Sequence, residues 1–377
     1  MDAHPNATPP VTRGALAVTL VSASDLRTAS RVAAAVTGAP LAPDPQVVEA
    51  PDGDSGLLGA ELAEGLIADA DDGRTGLAVV ALDPAADPLE VALVLEHVVE
   101  ARHPGSTPIG ILDVVAVSSV AEIRDALLDA RDDDTDPFDA AERLAGRLEC
   151  ASVVVLEDLD PLRPTADARR VVALLGLLAP DARIVPRGDR AELVPAPARI
   201  GRQRVRRLAA GMGWQAALAG RMPASAEAAA AVSVEVAATR AADATPAPAM
   251  GVHVFRDPRP FHPGRLRRAI ACELVPGPAG RIVRSRGLVR LASRPETVGQ
   301  WSTAGDVLSL DPTGMPSWDP ESPAGQEIAF VGEGLDGEAL DRILGACLLE
   351  PAELVAGPDA WRAYADPFPA WDTEHRH

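Results

Sequence analysis

Residues 15–22 have the sequence ALAVTLVS, a mostly apolar run that predicts a buried β-strand. The segment that follows, residues 26–36, predicts an α-helix, because its apolar side chains recur at helical spacing. The inward positions of that helix are Leu26, Ala29, Val32, Ala33 and Val36. A strand followed directly by a helix is typical of the start of an α/β domain.

The same alternation of apolar strands and helices continues to about residue 186. Further strands are predicted at 76–82, 108–117, 152–156 and 183–186, with helices at 90–102, 120–130, 139–148 and 167–178. Strands that are apolar throughout, separated by helices, indicate a mostly parallel sheet covered on both faces. The predicted fold class of this part is therefore α/β.

The composition favours an intracellular protein with two folded domains. A length of 377 residues with 47% hydrophobic content is enough for two cores. The three cysteines (Cys150, Cys272 and Cys347) are widely spaced and match neither a disulfide framework nor a CxxC metal motif. The first ten residues do not resemble a secretion signal, and the sequence lacks a membrane-length apolar run. We expect a reduced, cytoplasmic protein that does not bind membranes.

Charge is unevenly distributed along the chain, although the net charge is −20. Residues 199–294 carry 17 arginines against 5 acidic residues, whereas the segments on either side are strongly acidic. One interpretation is that the basic segment packs beside the acidic ones. The other is a contact surface for an acidic protein, RNA or the ribosome, without recognition of DNA sequence. The candidate contact residues are Arg199, Arg202, Arg204, Arg206, Arg207, Arg284 and Arg286.

From residue 251 the sequence changes to short alternating strands with many turn residues and two helices, which predicts an α+β module. Its most specific strings are RPFHPGRL at 259–266, GQWSTAG at 299–305, QEIAFVGEGL at 326–335, GPDAW at 357–361 and DPFPAW at 366–371. In this order and spacing, residues 251–372 resemble the C-terminal domain of the CobW family, which consists of GTP-dependent proteins of zinc and other metal homeostasis.

The resemblance implies a P-loop-NTPase-like GTPase domain ahead of this smaller α+β domain. The predicted organisation is a disordered N-terminus at 1–12, the GTPase-like domain at 13–190, a connecting segment at 191–250, the CobW C-terminal-like domain at 251–372 and a tail at 373–377. The connecting segment is rich in arginine and then in alanine. GTP and zinc enter as ligands through the family resemblance alone, and the residues themselves predict no cofactor.

The family's phosphate loop, GxxGxGKT, corresponds here to residues 23–30, ASDLRTAS. All three glycines are absent, and Ala29 occupies the lysine position. Only Ser30 retains a hydroxyl that could face magnesium. Because no lysine occurs anywhere in the chain, and arginine does not replace the P-loop lysine conservatively, the triphosphate site is predicted to be lost.

The other family motifs are similarly degenerate. The ESTGxxEP string corresponds to residues 81–88, where Asp87 and Pro88 remain, and the guanine-specific NKxD string corresponds to residues 157–160, where only Asp160 remains. The CxCC metal motif has no counterpart, since no cysteine precedes Cys150. Ser30, Asp87 and Asp160 are therefore the vestigial nucleotide-site positions, and we predict no catalytic residue.

A metal site in the C-terminal part has two candidate ligands, His262 and Cys272. Imidazole and thiolate are zinc ligands, with His253 as a further neighbour. The alternative is that His262, which stands between Pro260 and Pro263, is a hydrogen-bonded structural group.

Three functions follow from these patterns. The first is a pseudo-GTPase of the metal-homeostasis lineage that acts as an adaptor or accessory factor for a protein partner. The second is a binding module for an anionic assembly such as the ribosome or RNA, through the arginine-rich region 199–294. The third is an active GTP-dependent metallochaperone with an atypical site, which requires phosphate binding without the lysine and glycines.

Overall fold

The computed structural model describes residues 16–36, 46–48, 54–104, 108–129, 137–187, 204–222, 249–274, 277–305, 307–320 and 322–371. The N-terminus predicted at 1–12, the tail predicted at 373–377 and most of the connecting segment lie outside these residues. No helix in the described part is long and apolar enough to cross a membrane.

A parallel sheet forms the first half of the molecule. Its strands are β1 (Leu16–Ser22), β2 (Gln46–Val48), β3 (Gly76–Leu82), β4 (Ile109–Ser118), β5 (Val153–Leu156) and β6 (Arg183–Pro186), in the spatial order β2-β3-β1-β4-β5-β6. All of the pairings are parallel. The predicted α/β class is confirmed, and the bounds predicted for β3 and β6 match the structure.

The helices of this half are α1 (Leu26–Val36), α2 (Ser55–Asp71), α3 (Pro88–Arg102), α4 (Val120–Ile123), α5 (Pro137–Glu149) and α6 (Ala166–Leu178). Helix α1 packs on one face of the sheet, whereas α2, α3, α5 and α6 pack on the other. The helix predicted at 120–130 is shorter than expected, because a π-helical turn, Arg124–Leu128, follows α4.

Two short helices follow the parallel sheet in the described part of the chain, α7 (Arg204–Gly211) and α8 (Gly213–Leu218). Val205 anchors α7 to the first domain and is fully buried. Gly213 permits a close approach between α8 and α6, since a Cβ atom there would lie 1.7 Å from the carbonyl oxygen of Leu177. This basic segment therefore packs against the first domain at two points.

The second half is an antiparallel sheet with helices. Its strands are β7 (Met250–Asp257), β8 (Arg281–Val289), β9 (Thr297–Ala304), β10 (Val307–Pro316) and β11 (Gln326–Glu333), in the order β10-β9-β8-β11-β7. Its helices are α9 (Pro263–Cys272), α10 (Gly337–Cys347), α11 (Pro351–Ala356) and α12 (Pro358–Trp361). The predicted α+β module is confirmed.

The antiparallel sheet buries both of its faces. Helices α9 and α10 cover one face, over a core that includes Phe261, Trp301 and Phe330. The other face contributes to a core shared with α5 and α6 of the first domain through Met250, Val283, Ala304 and Val331. The two domains therefore share a continuous apolar contact, and the sheet lies between two layers of helices.

Candidate functional site

The carboxyl edge of the parallel sheet is where a ligand is expected in an α/β fold. The chain crosses to β3 on one side of β1 and to β4 on the other, so the loops after these strands diverge. Crevices at such crossing points are the usual ligand sites of parallel sheets. The three vestigial nucleotide-site positions all belong to loops or helices that follow strands at this edge.

The turn after β1 holds a carboxylate where the family resemblance places phosphate. The carboxylate of Asp25 accepts a hydrogen bond from the Thr28 amide at 2.9 Å, which caps the start of α1. This hydrogen bond is the main reason why the pKa of Asp25 is lowered. Ala29, at the lysine position, is fully buried. Ser30, one residue further on, is partly buried. The start of α1 is therefore capped by a carboxylate of the chain itself.

Arginine and glutamate side chains connect α1 to the loop after β5. Arg31 donates to Glu157 at 2.6 Å and to the Thr28 hydroxyl at 3.2 Å. A second guanidinium, that of Arg187, lies 3.7 Å from Glu157. Glu157 stands at the asparagine position of the guanine motif and is therefore already paired with cations of this chain.

The two retained aspartates are also engaged in local structure. Asp87 caps α3, since its carboxylate accepts from the Leu89 amide at 2.8 Å. Asp160 forms a turn in which it accepts from the amides of Leu162, at 2.9 Å, and Arg163, at 3.2 Å. These are roles that aspartate commonly has at helix starts and in turns.

His262 and Cys272 do not form a common metal site. His262 precedes α9 and Cys272 is its last residue, so about 15 Å of helix separates them. The Nδ1 atom of His262 accepts from the Gly264 amide at 3.1 Å and from the Arg265 amide at 3.4 Å. His253, the suggested neighbour, pairs with Asp341 at 2.8 Å. Within the described ranges no group of three or more metal-binding side chains occurs.

The candidate arginines separate into three groups. Arg199 and Arg202 lie outside the described residues. Arg204 faces the first domain, where its guanidinium lies 3.4 Å from the carboxylate of Asp113 on β4. Arg206 and Arg207, on the same helix, are exposed. Of the arginines proposed for an anionic partner in this helix, Arg206 and Arg207 remain available on the surface.

Arg284 and Arg286 lie between the two domains, in an interface cluster with Glu142, Glu149 and Ser302. The side chains of Arg284 and Glu149 are each 1% exposed, and their closest atoms are 2.7 Å apart. Arg284 also donates to Glu142 and to Ser302, while Arg286 pairs with Glu149 at 3.1 Å. The buried position of Arg284 removes it from any surface for an anionic partner, and Arg286 is committed to the same cluster.

Opposite charges determine the protonation states in the interface cluster. Burial alone would lower the pKa of Arg284, but Glu149 and Glu142 raise it above its ordinary value. Burial would raise the pKa of Glu142, but the hydrogen bond and charge of Arg284, the charge of Arg286 and the hydrogen bond from Ser302 together lower it. The cluster thus pairs two arginines with two glutamates. Sequence reasoning missed Glu142 and Glu149. Their seven-residue spacing, which places both on one side of α5, was the signal that could have identified them.

Comparisons with known proteins support the family resemblance of the second domain. Residues 250–348 match the family model described as the cobalamin synthesis protein cobW C-terminal domain. The zinc-regulated GTPase metalloprotein activator 1 of Dictyostelium discoideum is 31% identical over 137 residues, which cover 30% of this chain and 28% of that protein. A zinc chaperone of Mycobacterium tuberculosis is 28% identical over 337 residues, covering 81% of this chain and 74% of the relative.

The chain thus carries a CobW C-terminal domain and is distantly related to these two proteins. It spans little more than a quarter of the length of the Dictyostelium protein. Among solved structures, the Zn(II)-bound YjiA GTPase from E. coli is similar with 12% identity and a TM-score of 0.33, over 89% of this chain and 99% of that one.

Proposed function

Since the chain carries a CobW C-terminal domain, we propose that it is a non-hydrolysing adaptor or accessory factor of the zinc-homeostasis lineage. The proposal rests mainly on the turn after β1, where Asp25 caps α1 and a buried Ala29 stands at the lysine position. A triphosphate there would lack its cation and meet a carboxylate. We also propose that the protein acts in the cytoplasm, since all three cysteines are free.

The loops of the carboxyl edge support the same proposal. Glu157, Asp87 and Asp160 bond to groups of their own chain, so their carboxylates hold loops and helix starts in place. A nucleotide would have to displace these contacts and overcome the repulsion of several acidic side chains. A protein with this edge is better suited to present a fixed surface than to change shape with GTP hydrolysis.

Calorimetric titration with GTP and magnesium tests the nucleotide part of the proposal. We expect no binding at submillimolar GTP and no phosphate release. As a matched probe, Asp25→Ala removes the carboxylate from the turn, and we expect it to remain unable to bind GTP because the lysine and the glycines are still absent. Micromolar binding with turnover in the natural chain would instead support an active GTP-dependent metallochaperone.

The adaptor part of the proposal requires a protein partner on the second domain. Trp318, which follows β10, is 78% exposed, and large aromatic side chains contribute strongly to protein interfaces. We expect a partner captured from zinc-limited cells to be lost when Trp318 is changed to Ala. The exposed Val355→Ala variant serves as the control on the same domain. Equal capture by the natural chain and Trp318→Ala would exclude this surface.

Binding of an anionic assembly is the second candidate function, and the exposure of Arg206 and Arg207 favours it. Glu96 lies near this surface, where burial raises the pKa of its carboxyl and the charges of Arg206 and Arg207 oppose that rise. Ribosome or RNA pull-downs at low and high salt should show a steep loss of binding with salt. Unchanged binding by Arg206→Ala/Arg207→Ala would exclude these two residues as the contact.

A further inference from the structure

Trp318 lies just after the end of β10, in the chain that leads to β11, and is 78% exposed. An indole exposed to this extent forgoes the free energy that its burial would supply. The chain around it is nevertheless folded. The amide of Asp319 donates to the carbonyl oxygen of Pro316 at 3.1 Å, and the amide of Ser322 donates to the carbonyl oxygen of Asp319 at 2.9 Å. Trp318 is therefore presented to solvent by a structured turn.

The guanidinium of Arg290, which follows β8, holds the chain on both sides of Trp318. Its Nη2 atom donates to the carbonyl oxygen of Ser317 and to the hydroxyl oxygen of Ser322, each at 2.8 Å. The amide of Ser317 in turn donates to the carbonyl oxygen of Glu296 at 2.7 Å. These hydrogen bonds tie the turn that carries Trp318 to the body of the second domain.

The backbone of Arg290 is itself fixed by a buried amide side chain. Gln326, the first residue of β11, is 1% exposed. Its Oε1 atom accepts from the Arg290 amide at 3.0 Å, and its Nε2 atom donates to the Arg290 carbonyl oxygen at 3.1 Å. The amide of Phe261 donates to the same carbonyl oxygen at 2.9 Å. The Arg290 side chain therefore starts from a fixed point at the end of the sheet.

The position of Arg290 is not explained by stability alone. Its Nε atom is buried and lacks a hydrogen-bond partner. A buried donor without an acceptor is destabilising, and such groups in a native structure call for an explanation. The fixed placement of Trp318 supplies one, because the same guanidinium bonds to the residues on both sides of the indole.

The exposed charges next to this turn are mainly negative. Glu296, whose carbonyl oxygen is bonded to Ser317, is 58% exposed in its side chain, and Asp359 is 100% exposed. Both carboxylates pair with the guanidinium of Arg362, which is 47% exposed. Two exposed carboxylates thus share one guanidinium, which leaves a net negative charge near Trp318.

We propose that Arg290 is a positioning residue that holds the indole of Trp318 in one exposed orientation, for insertion into an apolar pocket of a protein partner. The proposal rests on the adaptor function, because it specifies how the Trp318 surface is presented. An aromatic side chain that is rigid before binding loses less conformational freedom in the complex. The negative charge beside Trp318 fits a pocket whose rim carries lysine or arginine.

Time-resolved fluorescence anisotropy of the full chain tests the positioning role without a partner. The signal of Trp318 is the difference between the natural chain and Trp318→Phe. We expect this indole to rotate only with the whole molecule in the natural chain and to gain a fast component in Arg290→Met. Ser322→Ala removes one acceptor of Arg290 and should give a smaller fast component, which keeps the test decisive if Arg290→Met does not fold.

Arg342→Met, at an exposed arginine of α10, is the matched control and should leave the anisotropy unchanged. A fast component of Trp318 in the natural chain would overturn the positioning role. The same conclusion would follow if neither Arg290→Met nor Ser322→Ala altered the motion of the indole.

Quenching by caesium and by iodide tests the charge beside Trp318. With free N-acetyltryptophanamide as the reference and at constant ionic strength, the Trp318 signal should be quenched more strongly by the cation than by the anion. The double variant Glu296→Gln/Asp359→Asn should reduce this difference. Equal or stronger quenching by iodide in the natural chain would contradict a partner pocket with a basic rim.

Capture of a partner from zinc-limited cells separates this proposal from the adaptor function on which it rests. Arg290→Met keeps Trp318 and should still lose capture, and capture by the natural chain should weaken with salt. Loss of capture in Trp318→Ala but not in Arg290→Met would support the adaptor and overturn the positioning role. Self-association of the natural chain that Trp318→Ala abolishes, measured by sedimentation, would assign the surface to a second copy and overturn the proposed partner.

Discussion

The interface cluster and the carboxyl edge each contain a pair of arginine and glutamate, but the two pairs differ in their exposure to water. Between the domains, Arg284 and Glu149 are each 1% exposed. At the carboxyl edge, Arg31 and Glu157 are 45% and 23% exposed. Because water screens the second pair but not the first, removal of one partner has very different consequences. The charges that matter for the fold lie between the domains, away from the edge that resembles a nucleotide site.

The largest expected effect is that of Glu149→Ala, which leaves Arg284 buried with one carboxylate fewer. We expect a loss of about 3–5 kcal/mol in the free energy of unfolding, measured with urea. The double variant Arg284→Met/Glu149→Leu should be less destabilised than Glu149→Ala, since it removes one charge of each sign. If Glu149→Ala has the same free energy of unfolding as the natural chain, the buried pair contributes no more to stability than the exposed pair at the carboxyl edge.

Gly213→Ala tests the packing beside the interface cluster. The added methyl group would overlap with the carbonyl oxygen of Leu177 on α6, so α8 must shift away from α6. Overpacking of this kind typically costs about 1–3 kcal/mol. Gly146→Ala is the matched control, because the space around that position on α5 is open. Denaturant unfolding of the two variants should separate them clearly, and equal stability would show that α8 packs loosely.

Asp87→Ala sharpens the comparison at the carboxyl edge. Its carboxylate caps α3, and loss of such a cap costs about 1 kcal/mol. Asp87→Asn should retain most of this stability, because an amide oxygen also caps helices. GTP should leave the unfolding of both variants unchanged. A GTP-dependent midpoint that is lost in Asp87→Ala would restore this aspartate to a nucleotide site.

In the second domain His262 caps a helix, as Asp25 and Asp87 do at the carboxyl edge. Burial lowers its pKa, so the folded protein binds the proton less readily than the unfolded chain. The contribution of His262 to stability is therefore complete above the unfolded pKa of about 6.5 and is lost as the pH falls below it. His262→Asn should keep the cap and remove this part of the pH dependence, as followed by urea unfolding between pH 5 and 8. An unchanged pH dependence would contradict the capping role.

The smallest effect is expected for Arg31→Met at the exposed pair with Glu157. Pairs of this kind contribute about 0–1 kcal/mol, and less at high salt. Thermal unfolding in low and high salt should show little difference between Arg31→Met and the natural chain. A loss as large as that of Glu149→Ala would mean that the carboxyl edge is more rigid than its exposure indicates.

Local patterns in the sequence were sufficient for most of the first domain. The bounds of α1 and β3 were predicted correctly, because α1 has apolar side chains at helical spacing and β3 is apolar throughout. Helix α2 was missed. Its interior contains Gly59 and Gly65, which disfavour helix in isolation. A Cβ atom at Gly59 would lie 2.8 Å from the carbonyl oxygen of Val91 on α3, so tertiary packing outweighs the local preference.

The pairings of the candidate residues required the structure. Arg284 and Glu149 are 135 positions apart, and no periodic pattern connects them. The sequence indicated that the basic segment could pack beside acidic ones, and this holds for Arg204 with Asp113 and for the interface cluster. It could not distinguish these paired arginines from the exposed Arg206 and Arg207, because all of them occur in the same basic stretch.

The core shared by Met250, Val283, Ala304 and Val331 with α5 and α6 has a practical consequence. Separating the two domains would expose on each fragment the apolar surface that the other domain covers in the intact chain. We expect such fragments to self-associate, so binding assays on single domains would measure aggregation instead of the properties of the intact protein. Work on this protein should keep both halves together.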